Sequence, residues 1–449
     1  MKNNLILVLL FIGLSIASKA QDVWTLEKCI QHAQQNNLSV KQQLLQEQTV
    51  AIEYESSKAN VLPDLNFSAN NNYSYGRTID PFTNNFTTDK SNSINFGLNS
   101  SVTVFSGLRN YNTMQSSKLN LLSTVATTEK IKNDISMALA NAYLQILFAE
   151  ELFKNSKNQL EITRLQLERT QKLVEAGKLP QGNLFDVQAQ FASEELRVIT
   201  NENNLRAARL SLIQFLDLPY SDDFAIEYPD FSEIESLSVV PDINQVYNNA
   251  LRLPQIKSAE YRMQSAEKNL AIAKSALSPS LSVGANYGTG YSSERKLYDD
   301  NMIPYDYPMG DQFSDNQSFQ LSLRLIVPIF NKFSASHSIK KSKLAIIQSE
   351  YQLEMEKQTL YKDIQSAQNS AISAQSKYFG NKKALEALNE SFKYTQQKFD
   401  LGLVNSLDYN TAKNNLVKAE SDLLQAKYEF IFTLTILDFY MGNPIQIKN

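Results

Sequence analysis

Two very long helical runs dominate the sequence. Residues 109–176 contain neither glycine nor proline, so no residue there favours ending a helix. At about 1.5 Å per residue, such a helix would reach about 100 Å. The matching run at 333–401 is interrupted only by Gly380, and short turns lead from the two runs into second helices at 183–218 and 405–441. Two long helical hairpins are therefore the framework into which the rest of the chain has to fit.

The two halves of the chain repeat one another. Matching residues recur at shifts of 216, 225 and 222, and the shift changes only where a loop is expected. The pairs include Pro63 with Pro279, Gly177 with Gly402, Asn183 with Asn405 and Asp186 with Asp408. We expect a tandem duplication, with a first repeat at 21–218, a linker at 219–241 and a second repeat at 242–449.

The first twenty residues have the pattern of a secretion signal. Lys2 supplies a positive start, residues 5–17 are almost wholly apolar, and Ser18 and Ala20 place small side chains where a signal peptidase reads. The apolar run is shorter than the roughly 20 residues that a membrane-spanning helix needs. We therefore expect residues 1–20 to be a signal peptide that exports the chain from the cytoplasm.

Each half changes from helical to strand periodicity after its first helix, which is predicted at 25–60 and 242–276. Apolar and polar residues alternate in two segments of each half, and polar loops at 77–93 and 292–317 separate the segments. Asn, Ser and Gly dominate one face of these strands. The other face is apolar and is predicted to contact lipid through Phe67, Phe96, Leu98, Val283, Leu321 and Leu323.

Four strands are too few to close a barrel in a membrane. An open sheet edge in lipid leaves backbone N–H and C=O groups unsatisfied, at several kcal/mol each. Copies of the chain would have to complete the sheet: two give eight strands, and three give twelve with an aqueous lumen. The alternative is a soluble antiparallel sheet buried on one face, but the sequence offers no compact domain beside the long helices to bury it.

The composition argues against catalysis, metal binding and nucleic-acid binding. The chain has one cysteine, Cys29, and two histidines, His32 and His337, too few for a structural zinc site. It has no Gly-rich phosphate loop and no nucleophile elbow. The formal net charge of −4 disfavours a nucleic-acid partner. We expect a protein that is not an enzyme and needs no cofactor.

Several segments together resemble the TolC-type outer-membrane efflux family across nearly the whole chain. They are residues 102–109 at the junction of strand and long helix, 327–330 in the second half, and the turns at Ala176-Gly177 and Leu401-Gly402-Leu403. The resemblance implies an α+β membrane protein whose homotrimer forms a 12-stranded transmembrane β-barrel and a long periplasmic α-helical coiled-coil barrel. It also implies a passive channel of a tripartite efflux or type I secretion system, with a periplasmic adaptor (membrane fusion) protein and an inner-membrane transporter as partners.

The turns between the long helices hold the candidate site residues. Asn183 and Asn405 are predicted helix N-caps, each three residues before an aspartate. By resemblance, Asp408 occupies the position of an acidic ring that narrows the periplasmic entrance, and Thr411 stands where the family has a second acid. Phe399 and Val404 replace a tyrosine and an arginine of the family's closing latch, so packing is expected to hold the entrance closed. The resemblance also makes the turns an adaptor-docking surface, formed by Gly177, Gly182, Leu401, Gly402 and Leu403.

Two other readings of the sequence stay open at this point. A periplasmic coiled-coil scaffold without a pore would use the same long helices and would be recovered without detergent. A binding protein for a small ligand would need a compact pocket domain, which the sequence does not offer. Neither the transported substrate nor the class of transporter follows from the residues.

Overall fold

The computed structural model describes residues 23–79, 84, 86–87, 90–221, 224–229 and 240–446. The predicted signal peptide therefore lies outside the described residues, as does much of the predicted linker. The chain divides into two compact units. A helical unit contains the described residues of 1–45, 126–257 and 355–449, and a strand unit contains Gln46–Val125 and Ser258–Glu354.

The helices follow the predicted order. They are α1 (Leu26–Asn36), α2 (Leu38–Ala59), α3 (Arg109–Glu175), α4 (Gln181–Phe215), α5 (Ile243–Ala250), α6 (Pro254–Ser275), α7 (Met309–Asp315), α8 (Ser334–Asp400) and α9 (Ser406–Tyr440). The two long helices, α3 and α8, begin and end within one residue of their predicted limits. Among the described residues, no helix is both long and apolar enough to cross a membrane.

The strands form one main sheet and two small hairpins. They are β1 (Asn66–Ser74), β2 (Thr78–Ile79), β3 (Phe86–Thr87), β4 (Ser91–Phe105), β5 (Ser280–Ser292), β6 (Lys296–Tyr298), β7 (Pro304–Asp306) and β8 (Ser318–Ile326). The two hairpins, β2–β3 and β6–β7, and the short helix α7 lie in segments that were predicted to be loops.

The first helix of each half is split, where the sequence predicted one continuous helix. Asn37 has an extended backbone (ψ 131°) between α1 and α2, and its side-chain oxygen accepts a hydrogen bond from the Ser39 N–H at 2.9 Å. In the second half, α5 ends at Ala250 and α6 begins at Pro254. Proline has no N–H to donate and disfavours a helical residue before it, so it suits the first position of a new helix.

The offset between the halves is constant over the hairpins. Both ends of α8 and both ends of α9 lie 225 residues after the corresponding ends of α3 and α4. The predicted change of offset from 225 to 222 at the turn is therefore wrong. The position equivalent to Asn405 is Pro180, and the position equivalent to Asp408 is Asn183.

The main sheet is antiparallel, in the order β1-β4-β5-β8. Pairing residues share a face, and one row across all four strands is apolar: Phe67, Leu98, Tyr287 and Phe319. The adjacent row is polar: Asn66, Asn99, Asn286 and Gln320. The alternation predicted within each strand thus continues across the sheet, giving one apolar and one polar face.

The helical unit has a conventional buried core. Leu139, Ile146 and Leu212 are fully buried, and α1, α3, α4 and α9 contribute to the same cluster. Tyr143 lies within it and donates a hydrogen bond from its hydroxyl to the Glu227 carbonyl at 2.6 Å. The backbone of Trp24 pairs with that of Ile226 beside this core.

Candidate functional site

The two hairpin turns end their first helices in the same way. Gly177 and Gly402 have φ values of +69° and +74°, a backbone conformation that glycine adopts without steric cost. In each turn, the N–H one residue after the glycine bonds to a carbonyl four residues before the glycine. The pairs are Lys178 with Leu173 and Leu403 with Lys398, both at 2.8 Å. These bonds satisfy helix carbonyls that would otherwise lack a partner, so both glycines serve as C-caps.

The second helices of the two hairpins begin differently. The Asn405 side chain is the N-cap of α9 and accepts a hydrogen bond from the Asp408 N–H at 2.8 Å. Pro180 holds this position in α4 and makes no side-chain cap bond. Asn183 lies inside the first turn of α4, where its N–H donates to the Pro180 carbonyl at 3.1 Å, so its prediction as an N-cap is wrong. The prediction failed because it matched Asn183 to Asn405 at a shift of 222 residues, whereas the helices of the two hairpins correspond at a shift of 225 residues. Gly182 is likewise a helix residue and lies just beyond the turn.

The two turns meet within one chain. The Ser406 hydroxyl, at the start of α9, donates to the Asp186 carboxylate at 2.6 Å. Asp408 and Thr411 are exposed on α9. Three exposed leucines surround the second turn: Leu401, Leu403 and Leu407. The hairpin ends therefore combine an exposed apolar surface with exposed carboxylates.

A groove of about 570 Å³ lies between the two hairpins beside their turns. The Tyr409 ring is buried and stacks on Phe399, with a centroid distance of 4.6 Å. The Phe392 ring is tilted against the same Tyr409 ring at a centroid distance of 5.4 Å, and Val404 lines the groove. Aromatic and aliphatic packing thus occupies the positions where the resemblance implied a tyrosine–arginine latch.

A buried polar cluster, which no sequence motif predicted, lies further along the hairpins. Lys413 is 2% exposed, and its ammonium group donates to the Thr163 hydroxyl at 2.7 Å. Glu194 is fully buried; one carboxylate oxygen accepts from Gln190 at 2.8 Å, and the other has no hydrogen-bond partner among the described residues, with Arg197 at 3.7 Å. Burial lowers the pKa of Lys413 to about 8, against the opposing attraction of Glu194.

The six residues predicted to contact lipid all lie on the apolar face of the sheet. Leu321 and Leu323 are 69% and 72% exposed, and Phe67 and Leu98 are also exposed, whereas Val283 is half-buried. Phe96 is half-buried as well, because the rings of Phe67 and Phe313 lie 6.2 and 5.3 Å from its own. The chain itself therefore covers part of the apolar face around Phe96.

Comparisons with known proteins agree with this architecture. The family model of the outer membrane efflux proteins matches residues 29–217 and 246–443. Outer membrane protein TolC of Vibrio cholerae is 21% identical over 440 residues, which cover 96% of this chain and 94% of that protein. Proteases secretion protein PrtF of Dickeya chrysanthemi is 22% identical over 436 residues, which cover 94% of this chain and 89% of that protein.

The fold is also that of a solved outer-membrane structure. The crystal structure of the outer membrane protein VceC from Vibrio cholerae superposes with a TM-score of 0.76 at 14% identity, covering 94% of this chain and 97% of that one. Because the family model matches both halves of the sequence, the assignment does not depend on one motif. The chain belongs to the outer membrane efflux protein family and is an outer-membrane protein.

Proposed function

We propose that the chain is one subunit of a homotrimeric passive channel that carries substrates from an inner-membrane transporter to the outside. The observation that carries this proposal is the open sheet with a largely exposed apolar face. Exposed leucines at alternate positions of β8, such as Leu321 and Leu323, are costly in water and suit lipid. A periplasmic scaffold without a pore would have no use for such a face.

The free edges of the sheet suggest how the subunits associate. β1 and β8 each have one neighbouring strand among the described residues. An unpaired strand edge is not tolerated in lipid, so β1 of one copy is expected to pair with β8 of the next. Three copies would give twelve strands and an aqueous lumen, whereas eight strands leave an interior that side chains fill. The polar rows of Asn, Ser and Gly suit a water-filled interior.

The hairpin ends are the proposed docking surface for a periplasmic adaptor. Leu401, Leu403 and Leu407 expose their apolar side chains there, each by 70% or more. Gly177, Gly402 and the first residues of α4, including Gly182, would present the backbone of both turns to the adaptor. In this arrangement the chain performs no chemistry, and the transporter supplies the energy.

Asp408 is the proposed charge at the periplasmic entrance, with Thr411 one turn further along α9. Three copies of the exposed Asp408 carboxylate near a threefold axis would repel one another and attract cations. Asp408→Asn keeps the side chain's size and the Asn405 cap bond, which uses the backbone N–H. Trimers should form normally, and block by a trivalent cation in planar-bilayer conductance should weaken.

Glu386→Gln provides the matched control for this experiment. Glu386 is an exposed acid on α8, fourteen residues before the end of that helix and therefore about 21 Å from the turn. Its neutralisation should leave cation block unchanged. Equal block in the wild type and in Asp408→Asn would contradict the entrance ring, and a purified trimer without discrete conductance steps would contradict the channel itself.

A further inference from the structure

The short helix α7 packs on the apolar face of the sheet. The Phe313 ring lies 5.3 Å from that of Phe96 and 6.5 Å from that of Tyr291. Ile94, Phe96 and Leu98 are two positions apart along β4 and therefore share the apolar face. Tyr291 pairs with Ile94, so the rings of Phe96 and Tyr291 both project from that face. α7 therefore lies on the side of the sheet that faces lipid in the proposed channel, and not on the side of the lumen.

Hydrogen bonds hold α7 in this place. The Thr289 hydroxyl donates to the Phe313 carbonyl at 2.6 Å, and the Asn316 amide donates to the Gly290 carbonyl at 2.6 Å. The buried Gln312 side chain accepts from the Ser292 N–H at 3.0 Å and donates to the Ser292 carbonyl at 3.1 Å. These bonds tie the middle and the C-terminal end of the helix to the last residues of β5.

The position of α7 along the strands places it at a membrane boundary. β8 begins at Ser318, directly after α7 and Asn316. A tilted transmembrane strand needs about 9–11 residues to cross the hydrocarbon layer. A crossing that begins at Ser318 ends near Ile326. Because α7 precedes Ser318, it lies at the edge of the hydrocarbon layer where the strands meet their loop. Exposed apolar residues continue from there into the same loop: Met302, Ile303, Tyr305 and Met309.

We propose that residues 293–317 form an interfacial anchor, with α7 and the β6–β7 hairpin resting in the headgroup region of the outer leaflet. The inference rests on the proposed function, because it takes the apolar face as the lipid-facing one. Exposed apolar side chains such as Met302 and Ile303, beside a helix whose Gln312 and Asn316 side chains are hydrogen-bonded to β5, suit the boundary between headgroups and acyl chains. The segment continues the apolar face of the sheet, which favours lipid over a second copy of the chain as its partner.

The single tryptophan of the chain, Trp24, makes a direct test possible. In a Trp24→Phe background, one tryptophan is introduced by Met309→Trp, Leu323→Trp or Gln320→Trp. The trimers are reconstituted into phosphatidylcholine vesicles that carry bromine either near the headgroup or near the end of the acyl chain. Met309→Trp should lose fluorescence mainly with the shallow bromine and Leu323→Trp with the deeper one, whereas Gln320→Trp, on the polar face, should be affected least.

The outcomes separate this inference from the proposed function. If Leu323→Trp is quenched and Met309→Trp is not, the anchor is overturned and the channel stands. Shielding of Met309→Trp from both bromine and an aqueous quencher would also overturn it, since a second copy would then cover the helix. No quenching at Leu323→Trp would overturn the lipid-facing sheet and the anchor together. Should Met309→Trp fail to assemble, Met302→Trp gives the same readout from the hairpin tip.

Discussion

The strand unit and the helical unit place the same residue type in opposite environments. Leu139 is fully buried in the helical core, whereas Leu323 is 72% exposed on the sheet. The helical unit satisfies its apolar side chains within one chain, as a protein in water does. The strand unit does not, because its apolar face is largely exposed and its two edge strands have one neighbour each among the described residues; in the proposed channel, lipid and other copies of the chain would cover them.

Truncation of a leucine should be costly in one unit and nearly neutral in the other. Leu139→Ala removes packed atoms from a fully buried site and should destabilise the helical unit by about 2–5 kcal/mol. Leu323→Ala leaves no internal cavity and should cost much less. Thermal unfolding in detergent, followed by circular dichroism, compares the two variants. Equal costs would show that Leu323 is packed against protein.

A charge should distinguish the two faces of the sheet. Leu323→Arg places a cation on the apolar face and should cost about 2–4 kcal/mol if the position is near the membrane midplane. Asn99→Arg lies on the polar row, beside Asn66 and Asn286, and should be tolerated. The amount of heat-sensitive trimer recovered from membranes measures the effect of each substitution. Tolerance at both positions would mean that the faces are misassigned.

The buried Lys413 should make the stability of the helical unit depend on pH. Its pKa is about 8 in the folded chain against 10.5 in an unfolded one, so the unfolded chain holds more protons between these values. Stability should therefore rise from pH 8 to 10.5, by roughly 3 kcal/mol in total. Lys413→Met should lack this rise. Melting curves of both proteins across the window test it, and parallel curves would exclude Lys413 as the cause.

The smallest effects concern two glycines of the second hairpin. Gly402→Ala should cost about 1–2 kcal/mol, because φ is +74° and an alanine there is strained although no atom lies within 4 Å of the added carbon. Gly380 is inside α8 with equally free space, and Gly380→Ala should stabilise the helix by about 0.5–1 kcal/mol. Melting temperatures that shift in the same direction would contradict this distinction.

The sequence predicted correctly those helices whose ends are marked by a proline or a glycine. Pro63 and Pro279 end the predicted first helices within a few residues of the observed α2 and α6, and Gly177 and Gly402 are C-caps in the structure. The two faces of the sheet could be predicted because apolar and polar residues alternate along each strand. Once the strands pair in register, this alternation places all the apolar residues on one face. The split before Pro254 was also signalled in the sequence, but the helical periodicity on both sides obscured it.

Contacts between distant segments could not be predicted in this way. The match of Asn183 and Asp186 with Asn405 and Asp408 suggested a shifted offset, and only the equal lengths of the two turns show that Pro180 is the equivalent of Asn405. The position of Phe313 on the sheet depends on hydrogen bonds across 20 residues or more. The contact of Lys413 with Thr163 joins residues 250 positions apart on helices without a strongly apolar face.

The mass of the detergent-extracted complex shows directly how many chains complete the sheet. Because β1 and β8 leave the sheet open at both edges, one chain cannot complete a transmembrane barrel. Native mass spectrometry of unheated protein should give three times the mass of the chain, and heating should convert the complex into single chains. A monodisperse monomer that remains stable in detergent would show that other copies of the chain do not complete the sheet.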